Sequence, residues 1–194
     1  MILTIFKLLL ASSIVSQTDG QGFSLFSQFA ISQSERMARV VPIVGPTGRQ
    51  YVCEADAVIS FSPTGALLWR VSIPGEIVGC DIDREGTLYF IDDDGGLEAI
   101  SPTGKKEWSF QIQGRGGMIS LAAAERGGAW IIIAYSDDRG RRTDEAVKVV
   151  NGSVVKSGGN VPIGSQLYRG SDNRIFFVIP RDQRGNRRIF ELEN

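Results

Sequence analysis

The amino-acid sequence predicts an all-β fold, a β-propeller of about four four-stranded antiparallel blades. Three observations lead there. The stretch "FSPTGALLW" at 61–69 returns as "ISPTGKKEW" at 100–108, 39 residues later. The apolar runs are short and rich in β-branched and aromatic side chains, as in "LYFI", "LEAI", "WIIIAY" and "IFFVI". Outside the N-terminus, no long segment carries the 3.6-residue apolar period of an amphipathic helix.

The first twenty residues are apolar and then small and polar. Lys7 closes a short n-region and "LLLASSIV" supplies the apolar core of a secretory signal peptide. The run is too short to span a bilayer. Residues 1–20 are therefore expected to be a leader, residues 22–194 the propeller, and the protein extracytoplasmic, either periplasmic or secreted. "GFSLFSQFAIS" (22–32) reads as a spare strand with no unit of its own. Phe23–Ile31 is expected to complete the fourth blade and cover its edge.

The first unit, 47–79, aligns with the second, 85–117: Gly48 with Gly86, Tyr51 with Tyr89, Pro63 with Pro102, Gly65 with Gly104, Trp69 with Trp108. The offset is 38 before a small "DDGG" insertion and 39 after it. In each Ser-Pro-Thr-Gly, proline pre-sets φ for the first corner of a turn and glycine takes the left-handed position that closes the hairpin. The third unit, 126–155, carries Trp130 and the turn Asn151-Gly152, and "MISLAAAE" (118–125) is expected to be its inner strand. The fourth, 171–194, ends on "RIFELEN" as a third strand. The recurring tryptophan follows the third turn of the unit, where a large ring can wedge between blades. It is read as architecture and not as a ligand cage.

Net charge is −1, which gives no basic field for nucleic acid. There is no histidine, so Ser-His-Asp and Cys-His catalysis and His-ligated metals are excluded. Two cysteines, Cys53 and Cys80, are too few for a thiolate cluster within one chain. Each sits in an apolar strand-like run and is read as a buried small hydrophobe, with pairing as the alternative in an oxidising compartment.

Strand order sorts the loops onto two faces. The turns "GPTG", "DREG", "ERGG", "SPTG" and "NG" lie on one face and are short. The segments 54–56, 92–96, 113–117, 136–145 and 180–187 lie on the other, dense in Asp and Arg. That face is the expected recognition surface, with Asp92, Asp93, Asp94, Arg115, Arg139, Arg141, Arg142, Arg181 and Arg184 as candidate ligand-binding residues. "DIDREGTLYFID" (81–92) places Asp81, Asp83, Glu85, Gly86 and Asp92 at calcium-loop positions. It lacks flanking helices and the longer Glu at the last position, so it is read as an acidic turn, and no metal or cofactor is expected.

The stretch "GTLYFIDDDGGLEAISPTGKKEW" (86–108) resembles the repeat of the pyrroloquinoline-quinone-type (PQQ-like) propellers, through Gly-x-Leu-Tyr, Gly-x-Leu-x-Ala and Thr-Gly-Lys-x-x-Trp. The resemblance implies the blade type. It does not imply the quinone, because vicinal cysteines are absent and the chain is far shorter than the family's usual eight blades. The expected function is a non-catalytic exported interaction module for a protein, peptide or glycan, either a monomer or a dimer completing a larger propeller. The alternative is a fragment or relative of a quinone-dependent dehydrogenase or other propeller enzyme.

Overall fold

The computed structural model describes residues 41–112, 116–124, 127–179 and 187–192. The expected leader (1–20) and the expected closing strand Phe23–Ile31 lie outside the described residues. Among the described residues, fifteen strands form four antiparallel sheets and there is no helix. Blade one holds β1 (Val41–Val44), β2 (Gln50–Cys53), β3 (Ala57–Phe61) and β4 (Leu67–Ser72). Blade two holds β5 (Ile77–Ile82), β6 (Leu88–Asp92), β7 (Gly96–Ile100) and β8 (Lys106–Gln111). Blade three holds β9 (Gly116–Ala124), β10 (Gly128–Ser136), β11 (Arg142–Val150) and β12 (Ser153–Val161). Blade four has three described strands, β13 (Gln166–Arg169), β14 (Ile175–Ile179) and β15 (Arg188–Leu192). The expected propeller fold is present, with "MISLAAAE" lying mostly in β9 as the first strand of blade three and "RIFEL" as the third strand of blade four.

The first strand of each blade lies against the first strand of the next, β5 on β9 and β9 on β13. Three apolar seams follow from this, one between each consecutive pair of blades. Tyr51, Cys53 and Val58 of blade one meet Ile82, Leu88, Phe90 and Ile100 of blade two. Tyr89, Ile91 and Leu97 meet Met118, Ile131 and Val149. Trp130, Ile132 and Ala146 meet Leu167, Ile175 and Leu192. β6 is buried on both faces, because successive side chains serve the seams on either side of it. Each large side chain so buried contributes about 1.5–3 kcal/mol.

A local rule places the aromatic rung of each seam. A residue with left-handed φ closes the turn after each first strand: Gly48, Gly86, Gly127 and Asn173. Three residues later come Tyr51, Tyr89, Trp130 and Phe176. The turn thus fixes the register that aims an aromatic ring at the next blade. Trp130 occupies the rung position and not the outer-strand position of Trp69 and Trp108. Its bulk fits because its surroundings are small: Ala122, Ala124, Ala146, and Gly158, where a Cβ would lie 3.2 Å from the ring.

Trp69 and Trp108 act as the sequence suggests. Trp69 packs edge-on against Tyr51, with ring centroids 5.9 Å apart, and Trp108 packs on Tyr89 at 5.7 Å. Trp69 also crosses to blade two, where its indole N–H donates to the Pro102 carbonyl at 2.8 Å. Its ring lies against Gly104, so that a Cβ there would sit 2.8 Å from Trp69 Cγ. The Ser-Pro-Thr-Gly turn of blade two is therefore a socket for the outer strand of blade one. Gly152 of the Asn-Gly turn lies against the Ser109 backbone of β8 in the same way.

Three expectations are corrected. Cys53 and Cys80 are not separate hydrophobes but form a disulfide between β2 and β5, across the first seam, with Cα atoms 6.8 Å apart. Elsewhere in the fold the position of Cys53 is filled by Ile91 or Ile132, so the bond stands where an apolar contact stands in the other blades. The segment 136–145 is not one long loop. β10 runs to Ser136 and β11 starts at Arg142, because the buried Asp144 is held by Arg142 and the ladder continues to the hairpin tip. The strands of blade three are nine residues long, where four to six were expected.

Gly104 and Gly140 both have left-handed φ, +84° and +72°, but nothing lies within 4 Å of a Cβ at Gly140. Substitution by Ala at either position costs about 1 kcal/mol or more in backbone strain. Gly104→Ala must in addition displace the Trp69 ring. Its urea midpoint is expected well below that of Gly140→Ala. Equal midpoints would show that the socket contributes nothing.

Candidate functional site

The turn chemistry of "DIDREG" builds the mouth of the channel on the side of the short turns. Asp83 is buried at the first corner of the turn that joins β5 to β6. One carboxylate oxygen accepts the N–H groups of Glu85 at 3.0 Å and Thr87 at 2.8 Å, an Asx turn. The other accepts the Tyr89 hydroxyl at 2.8 Å. Burial pushes the Tyr89 phenol up, and the hydrogen bond to Asp83 and its charge push it further.

Two residues earlier, Asp81 ties three blades together. Its Oδ2 accepts the N–H of Ala123 in β9 at 2.8 Å. Its Oδ1 accepts the N–H of Ile82 at 2.8 Å and the Arg169 guanidinium of β13 at 3.1 Å. Arg169 also donates to the Ile82 carbonyl. Burial raises the Asp81 carboxyl above its ordinary value. The Arg169 charge and the two N–H donors pull it down without cancelling that rise.

A recess of about 370 Å³ opens at this mouth, lined from three blades: Val44, Ile82, Asp83, Arg84, Arg169 and Asn173 are among its walls. Asn173 turns its amide toward the Arg84 guanidinium, so blade four meets blade two here as well. Asp81 and Asp83, singled out in the sequence for calcium-loop spacing, instead spend their oxygens on turn N–H groups, Arg169 and Tyr89. Among the described residues no group of three or more His, Cys, Asp or Glu is arranged to hold a metal ion.

The opposite face carries the residues expected to bind a ligand. Asp92 caps its own hairpin by accepting the Gly96 N–H at 2.6 Å. Asp93 accepts the Glu76 N–H at 2.9 Å and stitches the turn of blade two to the connection from blade one. The Asp94 carbonyl accepts from the Gln111 amide at 2.9 Å. Asp137 accepts the Arg139 N–H at 2.9 Å, the Arg141 N–H at 2.8 Å and the Arg141 side chain at 2.7 Å. These bonds hold its carboxyl below the ordinary value. The Arg139 side chain is exposed. Arg142 makes a two-pronged bond to Asp144, at 2.6 and 2.9 Å. Arg115, Arg181 and Arg184 lie outside the described residues. The described members of this set are spread over two blades, and Asp92, Asp93, Arg141 and Arg142 clamp hairpins or connections there.

Arg84, Arg169, Ser171 and Asn173 were not legible as site residues. One signal was present, since Asn173 takes the left-handed position that Gly86 holds in blade two. That equivalence places the segment Gly170–Asn173 at the same mouth as Asp83–Gly86.

No protein-family model matches the chain, and no curated protein sequence matches it. Solved structures do match in fold. The WD40 repeats of RRP9 superpose with a TM-score of 0.51 at 15% identity, over 80% of this chain and 52% of that one. The WD40 β-propeller domain of Doa1 gives 0.53 at 14% identity, over 79% and 51%. BBS1N, solved in complex with ARL6DN, gives 0.50 at 17% identity, over 79% and 46%. The chain is a β-propeller array, and it spans about half the length of these matched structures.

Asp144 contributes to the stability of the fold in acid. Burial would raise its carboxyl, but the Arg142 bonds, the Gly164 N–H and the Arg142 charge together hold it below the ordinary value. A depressed folded-state value means that the unfolded chain binds more protons on acidification. The stability Asp144 supplies is thus present above the ordinary carboxylate range and is lost as pH falls through the folded value. Denaturant midpoints should fall below about pH 4, and Asp144→Asn should flatten that limb. Arg142→Ala should cost roughly 1–2 kcal/mol at pH 7, because the half-exposed guanidinium is lost while Asp144 keeps the Gly164 N–H. A variant as stable as the parent would remove Asp144 from this role.

Proposed function

We propose that this chain is an extracytoplasmic, non-catalytic propeller module that receives a segment of a partner protein or peptide at the short-turn mouth. The recess carries the reading. Three blades converge there on one concavity that mixes Val44 and Ile82 with the polar Arg169, Ser171 and Asn173. Such a mixture suits an extended segment with one polar anchor.

The carboxylates argue for binding over chemistry. Asp81 and Asp83 each accept three donors and sit in turn and inter-blade positions whose geometry the fold needs. A general base has to reach a proton on its substrate, and here each oxygen is already occupied. The PQQ-type signature supports the same assignment for the blade alone, since its Gly, Tyr, Pro and Trp are turn and seam residues. The Cys53–Cys80 disulfide supports the export that the apolar N-terminus suggests, because such bonds persist in oxidising compartments. One fold neighbour, BBS1N, was solved in complex with ARL6DN, which accords with a protein partner.

The test compares the two faces. Ser171 is exposed on the turn at the rim of the recess, and Arg139 is exposed on the opposite face. Partners captured from the producing cell are purified and re-bound to the isolated protein. Ser171→Trp is expected to weaken re-binding at least tenfold, while Arg139→Glu leaves it unchanged. Full binding by Ser171→Trp with loss in Arg139→Glu would move the site to the charged loops.

A further inference from the structure

The repeat shows what each blade face is built to meet. In the second strand, the residue two after the aromatic rung pairs with one residue of the third strand: Cys53 with Val58, Ile91 with Leu97, Ile132 with Ala146, Val178 with Ile189. Val58, Leu97 and Ala146 are 0% exposed, each sealed by the following blade, whereas Ile189 is 66% exposed. The rungs behave alike. Trp130 is fully buried, but Phe176 is only partly covered and its cross-strand neighbour Tyr168 is 49% exposed. Blade four thus presents a seam face of Tyr168, Phe176, Val178 and Ile189 with no following blade of the described chain upon it.

The complementary face appears at the other end of the array. Val44 ends β1 at the position that Ile82 fills in blade two. Ile82 is 2% exposed, packed in the first seam, and Val44 is 55% exposed. The chain therefore leaves exposed one residue set of each kind that its three internal seams join. It also superposes on about half the length of the propellers it matches.

We propose that two copies of this chain associate head to tail, blade four of each packing on blade one of the other, so that two equal arrays close one ring. The only surface shown to fit the blade-four face is the leading face of a blade, and a second copy supplies it. Such contacts are heterologous, and two of them related by a two-fold axis close without leaving a free end. Each would bury the exposed apolar side chains as the internal seams do. The inference rests on the repeat; it shares Val44 with the proposed mouth, but its readout is mass, whereas the mouth is read by partner re-binding to Ser171→Trp.

The full-length chain is examined by sedimentation and light scattering across micromolar concentrations. The expected mass is twice that of the chain. Ile189→Glu and Val44→Glu, both at exposed positions, are each expected to give the single-chain mass with an unchanged circular dichroism spectrum. An equimolar mixture of the two variants retains one seam with both faces intact and should regain the doubled mass. A single-chain mass for the parent, an open-ended polymer, a dimer indifferent to both substitutions, or no recovery on mixing would each overturn the proposal.

Discussion

The carboxylate of Asp81 is the point on which the blade arrangement turns. A charge in this position is costly unless its oxygens are met by donors. Here the donors come from three blades: Ile82 of its own strand, Ala123 of β9 and Arg169 of β13. Without any one of these blades it would lose one of its three donors. Its requirement for partners therefore fixes how the first strands of blades two, three and four stand around the axis. The raised carboxyl shows that the compensation is incomplete, so the site retains some of the cost of burial. Arg169 is spent in the same bond, which is why the cation most deeply set in the mouth orients the ring before it orients anything else.

Around that centre the fold is a succession of apolar seams, each aimed by a turn. The left-handed residue that closes the first hairpin sets the strand register, and the register sends the ring three residues later across the gap. Because side chains alternate along a strand, a slip of one residue would turn every rung away from its seam. The outer strands add a second lock, Trp69 on the glycine of the next blade's turn and β8 on Gly152. The first seam differs from the others by its covalent bond. Cys53 takes a position elsewhere held by isoleucine, and a disulfide that closes a loop of this length can add about 3 kcal/mol by restricting the unfolded chain.

Much of this was legible. Gly48, Tyr51, Pro63, Gly65 and Trp69 recur at fixed offsets, and their turn chemistry is local, so the blade could be read from short stretches. Trp130 was read as following the turn of the third unit, and its equivalence to Tyr51 and Tyr89 rests on Gly127, three residues before it. The disulfide was hidden because Cys53 and Cys80 belong to adjacent blades, and only the packing of β2 on β5 brings them together. The pairing within the charged loops was not legible, because composition reports polarity and not partners. Asp137 and Asp144 are bonded to arginines two to four residues away. The recess was out of reach for the same reason as the disulfide, since Ile82 and Arg169 lie 87 residues apart in sequence.

The distinction between a clamp and a binding group follows from that pairing. On the loop face, Asp92 and Asp137 hold their own hairpins, Asp93 holds the neighbouring connection, and Asp144 bonds the N–H of Gly164 in the connection to blade four. Arg142 spends Nε and one terminal nitrogen on Asp144, so that part of its fork is already committed to the fold. At the mouth the demands differ. Asp83 is satisfied by its own turn and by Tyr89, so a contact to Ser171 at the rim costs that turn nothing. Rigidity at the centre with polar groups at the edge is what a preorganised binding surface requires. The carboxylates of Asp81 and Asp83 supply that rigidity, and the exposed Ser171 lies at the rim beside them.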